Sequence, residues 1–279
     1  MRTSKKSPFC VFCVFCGSHS LFAIRYSLFA ILLFTTACQT VPLSGRKQLM
    51  LSSESSEMTL GAQAYNEYKA QTPVSKNATY NNALTRVGQA IKTAAQKPDY
   101  QWEFTVLESA EANAFCLPGG KVAVYTGLFK YMANDAELAC IVGHEVAHAL
   151  ARHGGERMSW GTVQSVGLTA LKTQSESTLL AQAYGLATEV GVLLPFSRSH
   201  ESEADLMGLT LMARAGYDPT ASISFWKKFG STPSSAAERW LSTHPGGDVR
   251  IADLQKAMPA AQAEYQKAPS KKGLGTAIK

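Results

Sequence analysis

Hydrophobic and polar positions along the chain follow two periods, and the switch between them marks the elements. From Ser53, "SESSEMTLGAQAYNEYKA" joins cap-forming serines to helical spacing, until Pro73 interrupts it. "ATYNNALTRVGQAIKTAAQ" puts Leu84, Val87, Ile91 and Ala95 on one face, which predicts a second, amphipathic helix. The period then drops to two. "YQWEFTVLES" turns Trp102, Phe104 and Val106 to one side as a strand. Pro118-Gly119-Gly120 then makes a turn into a second alternating run, "KVAVYT".

Helical spacing returns at Gly127, where Asn134 or Asp135 is placed to cap the next helix. Residues 159–196 are rich in Ala, Leu, Val and Gly. Their most apolar part, "LLAQAYGLATEVGVLLPF", is interrupted by Glu189 and ends at Pro195. A membrane span needs about 20 apolar residues, so packed or membrane-skimming helices are predicted. A further helix over residues 197–215 stops at Gly216. The closing "YQKAPSKKGLGTAIK" is polar and predicts a frayed tail over residues 263–279. The expected class is α+β, a mainly helical domain over residues 53–262 around a small hairpin-rich sheet.

The first 37 residues change the picture from fold to targeting. "RYSLFAILLFTTACQT" runs from a basic residue through an apolar stretch to small residues ending at Cys38. This order resembles a bacterial lipoprotein signal. It implies cleavage before Cys38, lipid on its thiol and a tether over residues 38–52; Thr35 departs from the usual aliphatic residue. The upstream "FCVFCVFC" and the doublet "SLFAI-RY-SLFAI" are low-complexity repeats. Cys10, Cys13 and Cys16 have the C-x-x-C spacing of redox or zinc chemistry, but without folded context the expected reading is a far-upstream start codon or a translated repeat ahead of the leader. Cys140 reads as a buried, inert thiol, and whether it pairs with Cys116 is open.

Charge excludes one class of partner. The net charge of +6 includes Arg2, Lys5, Lys6 and Arg25 of the leader, and without them 23 basic groups face 21 acidic ones. A chain so nearly balanced, with no basic stripe interleaved with aromatics, is not expected to bind nucleic acid.

The chemistry lies in "IVGHEVAHALARHGGE", residues 141–156. His144 and His148 are four apart, about 40° around a helix, so both imidazoles can reach one ion. Glu145 points beside the pair, placed to take a proton from a metal-held water. Chance gives roughly 0.007 such triplets in a chain of this composition. The flanking Ile141, Val142, Val146, Ala147 and Leu150 predict a buried helix, where polar groups without partners are costly.

A third ligand is needed. Gly154 stands where the class continuing H-E-x-x-H-x-x-G-x-x-H has its third histidine, and His153 sits about 140° round an unbroken helix, so that class fails. "SRSHESEADLMG" offers Glu201 and Asp205 on one face, one as ligand and one as its support, with Glu203 and His200 as rivals.

"NAFCLPGGKVAVYTGLF", "GHEVAHALARH", "SRSHESEADLMG" and "THPGGDVRI" occur in the order seen in peptidase family M-forty-eight, the zinc endopeptidases that include HtpX, BepA and the CAAX prenyl proteases. The resemblance runs from about Cys38 to Met258. It implies a zincin-like (gluzincin) fold with one zinc ion held by His144, His148 and Glu201, and Glu145 as general base. Asp205 would orient a metal-binding histidine. His244 would approach the metal as catalytic group or inhibitory cap, and Arg250 would bond Glu201 or the oxyanion side. Cys116 stands where the family usually has Ala.

The run Lys121, Val122, Ala123, Val124 and Tyr125 is a candidate edge strand for pairing with an extended substrate, or else a structural hairpin. The resemblance further implies protein or peptide substrates, periplasmic quality control of misfolded envelope proteins, and contact with envelope-assembly machinery. Gln39 is compatible with sorting to the inner leaflet of the outer membrane of a Gram-negative bacterium. Neither the several spans of the HtpX-like subgroup nor the tetratricopeptide array of the BepA-like one is expected, which suggests the short stand-alone type. A zinc-containing chaperone or binding module with its site capped by His244 is the alternative.

Overall fold

The computed structural model describes residues 37–174, 194–232, 238, 240–241, 244 and 247–278. The leader ahead of Ala37 and the apolar run over 175–193 lie outside the described residues, as do Thr243, Pro245 and Gly246 of the "THPGGDVRI" motif. No helix among the described residues is long and apolar enough to cross a membrane.

Two helices open the domain: α1 (Glu54–Gln71), capped by the Ser53 side chain, and α2 (Ala78–Ala95), capped by Asn77. Three strands follow: β3 (Glu103–Leu107), β4 (Ala114–Leu117) and β5 (Lys121–Tyr125), numbered after a first pair described below. β5 pairs antiparallel with β4 through the Pro118–Gly120 turn and parallel with β3 on its other side, so the order is β3-β5-β4. Both faces of this sheet are covered. Val106, Val122 and Val124 point into the main core beside Val87 and Ile91. Leu107, Ala123 and Tyr125 pack with Tyr65 of α1 on the other side.

This arrangement corrects the edge-strand expectation. Lys121–Tyr125 is the central strand, with its backbone groups committed to both neighbours. A strand buried on both faces reads as a continuous apolar run rather than a clean alternation, and "VAVY" is such a run. The edges are β4 and β3, the latter bridged at Leu107 by Val74. The sheet also holds a single hairpin, since β3 joins it in parallel.

After the short α3 (Thr126–Phe129), α4 (Asp135–Leu150) carries the two-histidine motif. Asn134 caps it by accepting from Glu137 N–H, and Asp135 and Glu137 in the first turn complement the helix dipole. Every residue of α4 is buried except His148. α4 ends at a non-glycine residue in left-handed conformation, Arg152 at φ 55°. That conformation costs of order 1–3 kcal/mol. It is held by the Arg152 guanidinium, which binds Glu57 at 2.7 and 2.9 Å, Gln39 at 2.6 Å and the Ser52 carbonyl at 2.9 Å. The chain turns there and restarts as α5 (His153–Gln174).

α6 (Leu194–Arg214) packs along α4 more extensively than any other element. Gly216 (φ 87°) stops it, with Ser270 O only 1.9 Å from where a Cβ would stand. α7 (Thr220–Gly230) and α8 (Gly247–Lys267) close the domain.

Two segments expected to be loose are folded. Residues 38–52 form an antiparallel pair, β1 (Cys38–Thr40) with β2 (Lys47–Leu49), that buries Val41 and Met50 and ties Arg46 to Glu156 and Glu203. The tail runs back across the start of α4. Thr276 and Leu274 carbonyls accept from Asp135 and Ala136 N–H, and Ile278 N–H donates to Ala133 O. The first N–H groups of any helix lack partners within it, so a polar segment docks here through its backbone.

Candidate metal centre

The i, i+4 spacing on α4 brings His144 Nε2 and His148 Nε2 within 3.1 Å of each other. α6 brings Glu201 against them, with Oε2 3.4 Å from His144 Nε2 and Oε1 3.3 Å from His148 Nε2. His244 Nδ1 enters from the other side, 3.5 Å from His144 Nε2 and 3.2 Å from Glu201 Oε2. These four residues are the group among the described residues able to hold a metal ion, with one ligand atom each and all within 4.8 Å of one another.

A close approach of backbones makes the convergence possible. Gly143 of α4 faces Gly208 of α6, and a Cβ on Gly208 would stand 2.7 Å from His144 N. Neither glycine was singled out from the sequence, although both lie inside the quoted motifs.

Behind the ligand atoms, Asp205 Oδ1 lies 2.9 Å from His144 Nδ1. Arg250 is buried beneath both α6 carboxylates, donating through Nε to Asp205 Oδ2 at 2.6 Å and through Nη2 to Glu201 Oε2 at 3.2 Å. Its guanidinium sits 4.2 Å from the Trp226 ring centroid. Trp240 stacks on His244 at 4.3 Å and 18°, fixing that ring. Sequence reasoning missed both tryptophans.

The charges point to a cation. Glu145, Glu201 and Asp205 are buried carboxylates against the one guanidinium of Arg250. Burial works against a charged His144, but Asp205 and Glu201 outweigh it and push its pKa up to about 10. Burial opposes the charge on Glu201 as well, yet hydrogen bonds from His144, His148 and His244 hold it well below the usual carboxylate range. His148 moves the other way, lowered by burial. The carboxylates of Asp205 and Glu201 thus favour positive charge at His144, which is the charge a metal ion would bring.

Glu145 is held apart from this set. Burial raises its pKa, and its Oε1 has no hydrogen-bond partner among the described residues; His244 Nε2 is 3.9 Å away. An unpartnered buried acceptor is costly unless a water or substrate group uses it. Glu145, His148, Glu201 and His244 open onto a cleft of about 460 Å³, walled by β4 from Ala114 to Leu117 and rimmed by Tyr68 and Arg157.

The remaining predicted residues separate. His200 and Glu203, rivals for the third ligand, point away from the cleft: His200 bonds Glu156 and Glu203 bonds Arg46. Lys121–Tyr125 lies one strand behind the cleft wall. Cys38 is exposed at the start of β1, and Cys116 and Cys140 are free thiols.

Residues 78–258 match the family described as Peptidase family M48. The chain is 30% identical over 238 residues to the mitochondrial metalloendopeptidase OMA1 of Schizosaccharomyces pombe, covering 84% of this chain and 70% of that one. It is 39% identical over 156 residues to the OMA1 of Arabidopsis thaliana, covering 56% of this chain and 31% of the relative. The beta-barrel assembly-enhancing protease of Escherichia coli K12 is 28% identical over 234 residues, covering 80% of this chain and 48% of its own.

Proposed function

Because this chain belongs to Peptidase family M48 and carries a metalloendopeptidase domain, we propose that it hydrolyses peptide bonds of proteins with one zinc ion held by His144, His148 and Glu201. The observation that carries this reading is the spacing of the donor atoms. Arms of 2.0–2.1 Å to a tetrahedral zinc imply donors about 3.3–3.4 Å apart, and the donor atoms of His144, His148 and Glu201 stand 3.1, 3.3 and 3.4 Å from one another.

Bound there, zinc supplies Lewis acidity and lowers the pKa of a coordinated water to about 7. The protein's residues do the rest. Glu145 is positioned as the base that takes the proton of the attacking water and returns it to the leaving amine, and burial raises its pKa toward the range that task needs. Asp205 fixes the ring of His144, while Arg250 anchors Asp205 and Glu201. The free edge of β4 offers main-chain groups to an extended peptide lying along the cleft. His244, once swung from Glu201, can donate to the oxyanion that develops on the scissile carbonyl.

A second reading rests on His244 as it stands. Its Nδ1 stands among the donor atoms of His144, His148 and Glu201, where it would take the place of the attacking water. In that reading the site is latent and opens when His244 withdraws.

The proposed substrates are misfolded envelope proteins, with the protein held at a membrane by lipid on Cys38 and facing the periplasm. The leader pattern and the similarity to the beta-barrel assembly-enhancing protease support this. Casein cleavage by purified protein with zinc, set against Glu145→Gln, tests the chemistry: equal cleavage by both removes it. His244→Ala separates the two readings, since a faster variant indicates a cap and a slower one a catalytic group. An unchanged mature mass in Cys38→Ala would remove the anchor.

A further inference from the structure

The two histidines of α4 are braced in different ways. His144 has a carboxylate directly behind it in Asp205. His148 instead turns Nδ1 toward Nδ1 of His153 at 2.8 Å, and His153 Nε2 lies 2.9 Å from Glu203 Oε2. The left-handed turn at Arg152 makes this possible, because it folds His153 back onto the helix that has just ended.

The proton positions follow from valence. When His148 Nε2 serves a metal, its Nδ1 carries the hydrogen and donates. His153 Nδ1 must then accept, which leaves its own hydrogen on Nε2, aimed at Glu203. The carboxylate at the end of the chain is fixed by the hairpin: Arg46 Nε donates to Glu203 Oε2 at 2.8 Å, and the Ser44 hydroxyl donates to Oε1. Arg46 also grips Glu156 with both amino groups, at 2.6 and 2.9 Å. Glu156 in turn meets His200, whose ring stacks on His153 with centroids 3.9 Å apart. His153, His200, Glu156 and Glu203 are all buried.

We propose that His153 and Glu203, clamped by Ser44 and Arg46 of the β1–β2 hairpin, are the positioning residues for His148, so that the hairpin is part of the metal centre. The proposal rests on the reading of His148 as a metal ligand. It assigns a use to three features outside that reading: the strained turn at Arg152, a buried histidine pair, and an arginine reaching from the N-terminal hairpin to α6. A hairpin with only two buried apolar side chains, Val41 and Met50, needs such polar anchors to hold its place.

The test measures zinc affinity by chelator competition, beside kcat, KM and thermal unfolding of the metal-free protein. His153→Leu keeps the bulk but removes both the acceptor and the donor. Its zinc affinity should fall about 10- to 100-fold, as loss of an outer hydrogen bond to a ligating histidine does elsewhere, with kcat lowered and KM little changed. His153→Asn keeps an acceptor near the Nδ1 position and should recover most of the affinity. Arg46→Gln, on a partly exposed hairpin, should lose affinity in the same direction by a smaller factor and covers the case in which His153→Leu does not fold. Zinc affinities of all three within twofold of the parent overturn the proposal. So does a loss that His153→Asn shares in full with His153→Leu. Failure of the parent itself to bind zinc would overturn the reading beneath it instead.

Discussion

The glycine pair between α4 and α6 gives a quantitative handle on the metal centre. In Gly208→Ala the new Cβ would meet His144 N at 2.7 Å and both Gly143 C and His144 Cα at 2.9 Å, all of them backbone atoms that cannot rotate aside. Ordinary contact begins near 3.4 Å, so the helices must part by about 0.7 Å at the crossing. Glu201 stands seven residues back on α6, two turns away on nearly the same face, and a helix transmits such a shift with little loss. Metal sites tolerate about ±0.2 Å in ligand distance. The expected outcome is a loss of about 1–3 kcal/mol in stability from overpacking and a zinc affinity at least tenfold weaker, about 1.4 kcal/mol. Chelator competition on refolded protein, with thermal unfolding in parallel, measures both. Gly161→Ala on α5 is the control. Nothing lies within 4 Å of its would-be Cβ, and it should gain up to about 1 kcal/mol with metal affinity unchanged. Parental zinc affinity in Gly208→Ala, together with the expected destabilisation, would refute the claim that this contact sets the ligand geometry.

Other outcomes follow from the same geometry. Asp205→Asn keeps the shape but removes the charge facing both Arg250 Nε and His144 Nδ1; zinc affinity should drop about 10- to 100-fold, and an unchanged value would remove Asp205 from the centre. Saturating zinc at 1,000 times its Kd should stabilise the chelator-stripped protein by about 4 kcal/mol, and no rise in Tm would count against a metal site in the folded state. Burial pushes Tyr217 up to about 12 and raises Tyr65 and Tyr100 too. The unfolded chain releases these protons near pH 10 while the fold retains them. Stability is therefore intact below about pH 10 and lost as pH rises from 10 toward 12. Absorbance of the phenolates should show these rings ionising only with unfolding, and reversible titration of every tyrosine near pH 10 in intact protein would contradict it.

The sequence carried the local half of the architecture well. The helices over α1, α2, α4 and α6 are legible because each repeats apolar residues with a period near 3.6 or carries a recognisable cap, and Asn134 caps α4 as its position suggests. The two loose segments were misread for a shared reason. Residues 38–52 and the tail are held mainly by polar and backbone bonds, Arg46 to Glu156 and Glu203 in one case and the Thr276 and Leu274 carbonyls to α4 in the other. Hydrophobic periodicity is silent about bonds of that kind, and composition alone makes such stretches look like linkers.

The site divides along the same line. His144, Glu145, His148 and Glu201 could be singled out because their proposed roles depend on spacing within a helix, or on a motif that repeats as a unit. What surrounds them depends on where the chain turns. An unbroken helix would carry His153 away from His148, and only the left-handed residue Arg152, paired with Glu57 far upstream, brings it back. The strand error shows the converse. The alternation of "KVAVYT" suits a substrate edge or a structural hairpin equally, whereas the unbroken apolar run inside it is the signal that the strand lies in the middle of the sheet. Moving the substrate ladder from β5 to β4 leaves the chemistry as proposed and changes which backbone it uses: Ala114 to Leu117 lines the cleft with Glu145 and His148, and β5 stands behind as the rigid strand that holds that edge in register.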